Sequence, residues 1–146
     1  MIYIFVDDHH EAMYLTRGTD SHGQPLNGRE HYTMTFDHDA LPPVDRSCGG
    51  FWSLTMYNDN IFMLADSPNG RVNLGTVHLD ANDLRFANGK LTLHLSHDEP
   101  AEDNARANWL PAPAGRFCLA IRSYVPGEEL VNGTYIFPDL IRESSS

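Results

Sequence analysis

Arg122 and Tyr124 lie two residues apart in the alternating stretch Phe117–Tyr124. A strand there presents both on one face and Phe117, Leu119 and Ile121 on the other. Ser53, Thr55 and Tyr57 likewise share the polar face of Phe51–Tyr57. An Arg set among hydroxyls can grip a carboxylate through two parallel N–H···O bonds, and a Tyr or Trp ring can stack on a sugar. Trp109 belongs to the run Asn108-Trp109-Leu110-Pro111-Ala112-Pro113-Ala114-Gly115. Its Pro-x-Pro spacing excludes a helix interior and a central strand, because each proline lacks an N–H and fixes φ. The run is therefore expected to be an extended loop held against the body of the domain. If the two strands are neighbours, Tyr57, Trp109, Arg122 and Tyr124 form a candidate ligand-binding set. The competing reading makes Arg122 a buttress that pairs with an acid or with loop carbonyls and pins the Trp109 loop as a lid.

The other reactive residue types do not assemble into a motif. His9 and His10 are adjacent, and His94 and His97 are three apart in an extended stretch, so the members of each pair diverge. The His-x-His…Glu pattern of cupin metal sites is absent, and although His78 and His94 could approach across strands, nothing in the spacing requires it. Asp20-Ser21-His22 holds three triad residue types consecutively, where they cannot converge, and no Gly-x-Ser-x-Gly elbow occurs. Cys48 sits beside two glycines without an accompanying base. In Asp80-Ala81-Asn82-Asp83, Leu84 falls where an EF-hand loop needs a ligand. The acidic run Asp98–Asp103 reads as a solvated loop, and no glycine-rich phosphate cradle follows a strand. The expectation is no metal, no cofactor and no identifiable catalytic residue.

The elements that must position these side chains are short strands. Ala12–Thr16, His31–Phe36, Phe51–Tyr57, Leu91–His97 and Phe117–Tyr124 carry the alternation, and Ile2–Val6 is a further strand. Their inward sets are Trp52, Leu54 and Met56; Leu91, Leu93 and Leu95; and Phe117, Leu119 and Ile121. Weaker candidates are Ile61–Leu64, Val72–Leu79, Leu84–Phe86 and Thr134–Phe137. Asp20–Gly23, Asn27-Gly28, Asn88-Gly89 and Asn132-Gly133 are expected to supply positive-φ turn positions. Ala101–Ala107 could hold a helical turn but is read as irregular, and 143–146 as frayed. Many short strands with turns at this spacing predict one all-β domain over 1–146, an antiparallel β-sandwich of jelly-roll type.

Length and charge set the outer bounds. A chain of 146 residues can build one ordinary core without metals or disulfides. Ten Lys and Arg against twenty Asp and Glu give a net charge of −10, with no basic cluster for a phosphate backbone, so nucleic acid is not an expected partner. No stretch approaches the ~20 apolar residues of a membrane-spanning helix, and the opening run lacks the flanks of a signal peptide. Cys48 and Cys118 are too few for a disulfide framework, and Cys118 is expected to be a small buried hydrophobe. The expectation is a reduced cytoplasmic protein.

The order of these residues resembles the domain of unknown function 1214 family. Tyr14, Asp20, Gly23, Pro25-Leu26 and Gly28 resemble its opening hairpin; Tyr32, Phe36 and Leu41-Pro42-Pro43 follow; Phe51–Tyr57 resembles its central strand. Gly89-Lys90-Leu91-Thr92, the specific Asn108–Pro113 motif, Phe117, Arg122, Tyr124, Pro126, Gly133, Pro138 and Arg142 complete the pattern. Arg46–Gly50 departs from it as an insertion, and Val72 and Tyr135 stand where a Tyr and a Trp are more usual. The resemblance implies a jelly-roll-like sandwich that usually forms the C-terminal half of proteins carrying a sister domain of unknown function 1254. It implies no reaction. On this reading the chain is a non-catalytic module that binds a second copy or a separately encoded sister domain. The alternative is a carbohydrate- or carboxylate-binding domain, or an enzyme, using the Arg and aromatic residues.

Overall fold

Alternation of apolar and polar side chains becomes strand wherever it runs for seven or eight residues. The computed structural model describes residues 2–6, 11–60 and 67–143. Within them the strands are β1 (Ile2–Val6), β2 (Glu11–Arg17), β3 (His31–Asp37), β4 (Phe51–Asn58), β5 (Asn73–Gly75), β6 (Lys90–Ser96), β7 (Trp109–Pro111), β8 (Phe117–Tyr124) and β9 (Ile141–Glu143). Three single-turn helices, α1 (Thr76–Asp80), α2 (Asp103–Ala107) and α3 (Glu128–Val131), lie between them. The candidate strand Ile61–Leu64 lies outside the described residues, as do His9 and His10.

The strands form two sheets. One runs β1-β2-β8-β4-β5 and the other β7-β6-β3-β9. Every pair in the first sheet is antiparallel, and in the second β6–β7 is parallel. The expected inward sets fill the space between the sheets: Trp52, Leu54, Met56, Leu119 and Ile121 from the first, and Tyr32, Met34, Phe36, Leu91, Leu93 and Leu95 from the second, join one buried cluster. Phe36 meets Trp52 at 5.5 Å between ring centroids, and Tyr32 meets Phe117 edge-on at 5.7 Å. Offset and edge-on geometries of this kind add to the burial of the rings themselves. The described residues thus form a mostly-β, two-sheet structure with a few single-turn helices and no closed barrel.

The weaker sequence expectations fail for identifiable reasons. Asn108–Gly115 is not loop throughout: Trp109–Pro111 pairs in parallel with His94–Ser96 at the sheet edge, where a proline is tolerated. Val72–Leu79 splits into β5 and α1 because the Thr76 hydroxyl takes over the Trp52 backbone, accepting from its N–H at 2.9 Å and donating to its carbonyl at 3.3 Å. Leu84–Phe86 is not a strand, because the Asn108 side-chain amide satisfies both backbone groups of Arg85 at 2.8 Å each. The turn after it is real: Asn88 and Gly89 take φ of 53° and 74°, and Ala87 bridges Lys90. Thr134–Phe137 is irregular, and the last strand is β9, in which Glu143 pairs with His31 instead of fraying. Ala101–Ala107 contains α2 instead of being irregular throughout. Cys118 is half-buried on an outer face, and Gly28 has no positive φ.

Candidate functional site

Strand register decides which candidate residues meet. In the five-stranded sheet β8 lies between β2 and β4, so Arg122 faces Tyr14 on one side and Ser53 on the other. Tyr124 faces Phe51, and Thr55 faces Ala120. These residues occupy the outer face of the sheet, since their alternates Leu54, Leu119 and Ile121 are buried in the core. Tyr57 sits on the same face, two pleats along β4. The structure therefore brings together Tyr57, Arg122 and Tyr124.

Arg122 is exposed. Its Nε donates to the Tyr14 hydroxyl at 2.5 Å, and the guanidinium carbon lies 4.8 Å from the Tyr14 ring centroid. Tyr57 is close enough to Tyr14 and Arg122 to feel both electrostatically. Burial, reinforced by Tyr14, raises the Tyr57 phenol above its ordinary 10.0, with Arg122 opposing. Tyr57 is therefore a neutral hydroxyl at pH 7 and not a base. Phe51 stacks on Tyr124 at 5.4 Å with the rings 8° from parallel, and Phe51 is 38% exposed. Arg122 makes no ion pair among the described residues. Among the described residues no contact to an acid or to a loop carbonyl supports the buttress reading, in which Arg122 is held against the Trp109 segment.

Beside Arg122 the face dips into a depression of about 200 Å³ lined by Ser53, Thr55, Asn73, Val77 and His78. Its donors and acceptors suit a polar group. His78 is not a free base there: its Nδ1 accepts from the Gly75 N–H at 3.2 Å. Burial and the nearby Arg71 lower its pKa, with Asp83 opposing. Among the described residues neither the Ser53 nor the Thr55 hydroxyl is hydrogen-bonded to His78, and what the lining offers is a set of groups that can bind and orient a polar ligand.

Trp109 lies elsewhere. Its indole is buried at 3% exposure, and Nε1–H donates to the Ser96 carbonyl at 2.9 Å. Its own carbonyl accepts from Asn69 at 3.2 Å and from Arg71 at 3.1 Å, and Arg71 also reaches the Ala107 carbonyl at 2.8 Å. With Asn108 bonded to Arg85 and to the Thr92 carbonyl, the motif ties the edge of the four-stranded sheet together. The Asn108 side chain, the Trp109 indole N–H and the Trp109 carbonyl are thus all engaged within the domain.

Sequence reasoning missed Tyr14 and Phe51 as members of the outer face. Both stand in correctly read strands, but their partnership with Arg122 and Tyr124 needs the β2-β8-β4 order, which no local signal encodes. It also missed the neighbour of His94, which is His31 rather than His78.

The family profile described as "Protein of unknown function (DUF1214)" matches residues 11–128. Among solved structures, the VPA0106 protein from Vibrio parahaemolyticus is 28% identical with a TM-score of 0.72, and the match covers 91% of this chain and 31% of that one. An uncharacterized protein from Burkholderia cenocepacia is 15% identical with a TM-score of 0.45, over 94% of this chain and 30% of that one. The chain thus spans under a third of the length of either. No curated protein matches it.

Proposed function

The chain belongs to the DUF1214 family, and from that premise we propose that it is a non-catalytic interaction module whose five-stranded sheet buries its outer face against a partner chain. The observation that carries the reading is an exposed arginine, without an acidic partner among the described residues, set among Tyr14, Tyr57, Tyr124 and the exposed rim residues Phe51 and Val77. Interfaces draw their energy from tyrosine, other aromatics and arginine at the centre of a patch. The partner is expected to place a carboxylate on the exposed guanidinium of Arg122 and apolar surface on Phe51. The longer VPA0106 protein keeps a matching domain within a chain about three times as long, which favours a folded domain as the natural occupant. In isolation a second copy takes that place. The strand order supports a jelly-roll relationship as well, since β8 returns to lie between β2 and β4.

Sedimentation velocity at micromolar to hundred-micromolar concentration tests this. The expected result is concentration-dependent association that Arg122→Glu and Phe51→Ser each abolish while both variants keep the wild-type melting temperature. A strictly monomeric wild-type chain overturns the reading.

A second reading rests on the depression beside Arg122, where Ser53, Thr55 and Asn73 could surround a bound carboxylate or sugar hydroxyl. A ligand that binds only the folded state raises the melting temperature by mass action. A panel of small carboxylates and monosaccharides at millimolar concentration should therefore contain at least one stabiliser that loses its effect in Arg122→Ala. An inert panel removes this reading and leaves the first untouched.

A further inference from the structure

On the opposite sheet, β3 and β6 are adjacent and antiparallel, with Thr33 facing His94, which puts His31 and His94 diagonally next to each other on one outer face. The ring nitrogens meet: His31 Nε2 lies 2.8 Å from His94 Nδ1, with ring centroids 5.1 Å apart and planes 76° from parallel. Both rings are half-buried at the side of a groove of about 480 Å³. Glu30, Asp98, Glu99 and Glu102 line the same groove against one cation, Arg29. Glu30 and Glu99 are drawn toward Arg142 and Arg106 at 4.0 Å each, whereas no ion pair holds Asp98 or Glu102 among the described residues.

We propose that His31 and His94 chelate a divalent late-transition-metal ion in this groove. Neighbouring cis ligands of a square-planar or octahedral ion with metal–nitrogen bonds of about 2.0–2.1 Å are about 2.9 Å apart. The observed nitrogen separation is already that edge. Among the described residues no set of three or more His, Cys, Asp or Glu converges as a cage. The ion is therefore held by two imidazoles, and water from the open groove fills its remaining positions. Both rings must present lone pairs, so binding replaces the N–H···N hydrogen bond between them and requires a modest rotation about the soft terminal torsion of histidine. The acidic rim contributes by raising the local concentration of cations.

His94 is faced by His31 and Thr33 on β3, by Glu143 on β9 and by Glu102 ahead of α2; Glu143 is itself bonded to Thr33 at 2.7 Å.

Ni²⁺ is the probe, because it does not oxidise the exposed thiol of Cys48. Calorimetric titration of the EDTA-treated 146-residue chain at pH 7.5 should give one ion per chain, and His31→Gln or His94→Gln should each weaken binding at least tenfold. Paramagnetic broadening in proton NMR gives a second measurement on the unaltered chain: the ring protons of His31 and His94 should broaden before those of the other histidines. Undiminished binding in both variants, first broadening at other histidines, or no binding up to millimolar Ni²⁺ each overturns the proposal.

Discussion

At the scale of single residues, Trp109 separates packing from hydrogen bonding. Its ring is buried at 3% exposure, so truncation to Ala removes a large apolar volume and leaves a cavity under the sheet edge. Trp109→Ala should cost about 3–5 kcal/mol in equilibrium urea unfolding. Trp109→Phe isolates a smaller quantity. The Ser96 carbonyl that accepts the indole N–H also accepts the Ala112 N–H at 2.9 Å, so losing the indole donor does not strand it. Loss of that hydrogen bond alone should cost about 1 kcal/mol. A near-wild-type Trp109→Ala would contradict the structural assignment and return the residue to the ligand-platform reading. The sequence exposed the conflict between an apolar residue and a rigid backbone at this place. It did not contain the answer, because Ser96, Asn69 and Arg71 come from distant segments.

At the scale of elements, legibility follows the source of the backbone's partners. Strands β3, β4, β6 and β8 alternate over seven or eight residues and were readable, core faces included, since period two is a local property. The three-residue strands β5, β7 and β9 carry too little pattern, and their starts and stops are set by side chains such as Thr76 and Asn108. Gly28 illustrates the same limit. Its sequence context suggested a positive-φ turn, yet the need for glycine comes from a neighbour: a Cβ there would lie 1.7 Å from the Pro113 carbonyl oxygen. The Gly28 N–H bonds the Gly115 carbonyl at 2.9 Å, and its carbonyl accepts from the His97 N–H at 2.9 Å, so Gly28 is tied to the chain just after the Pro-x-Pro segment and to the residue just after β6. Gly28→Ala must displace backbone, because no flexible side chain can yield, and should lower stability by about 1–3 kcal/mol, the range for an overpacked site. An unchanged urea midpoint would show that the segment can move away freely. The Arg122 face shows the limit for function: each strand bearing it was found, while the strand order that assembles it was not.

For the whole molecule, the titrating groups define the pH range in which the fold is most stable. His78 and His94 have pKa values lowered from 6.5, chiefly by burial. The unfolded chain then takes up protons that the folded chain resists, so stability falls as pH drops below about 6.5. Asp20, Asp45 and Asp80 have carboxyl pKa values lowered from 3.8, by the backbone N–H of Gln24, the Ser47 side chain and Arg46 respectively. Their contribution is intact above 3.8 and disappears as pH falls through their folded values, giving a second acid stage. The alkaline side has the opposite sign. Burial raises Cys118 from 9.0 and Tyr32 and Tyr57 from 10.0, and pushes Tyr135 up to about 12. These groups stabilise the fold fully below their unfolded values, and that contribution is lost as pH climbs toward the folded ones. Urea unfolding of the EDTA-treated chain should therefore show a plateau between about pH 6.5 and 9, a first decline on acidification and a steeper one below about pH 4. His94→Gln should shrink the first decline and leave the second in place. A single decline confined below pH 4 would mean that neither histidine is held neutral by the fold.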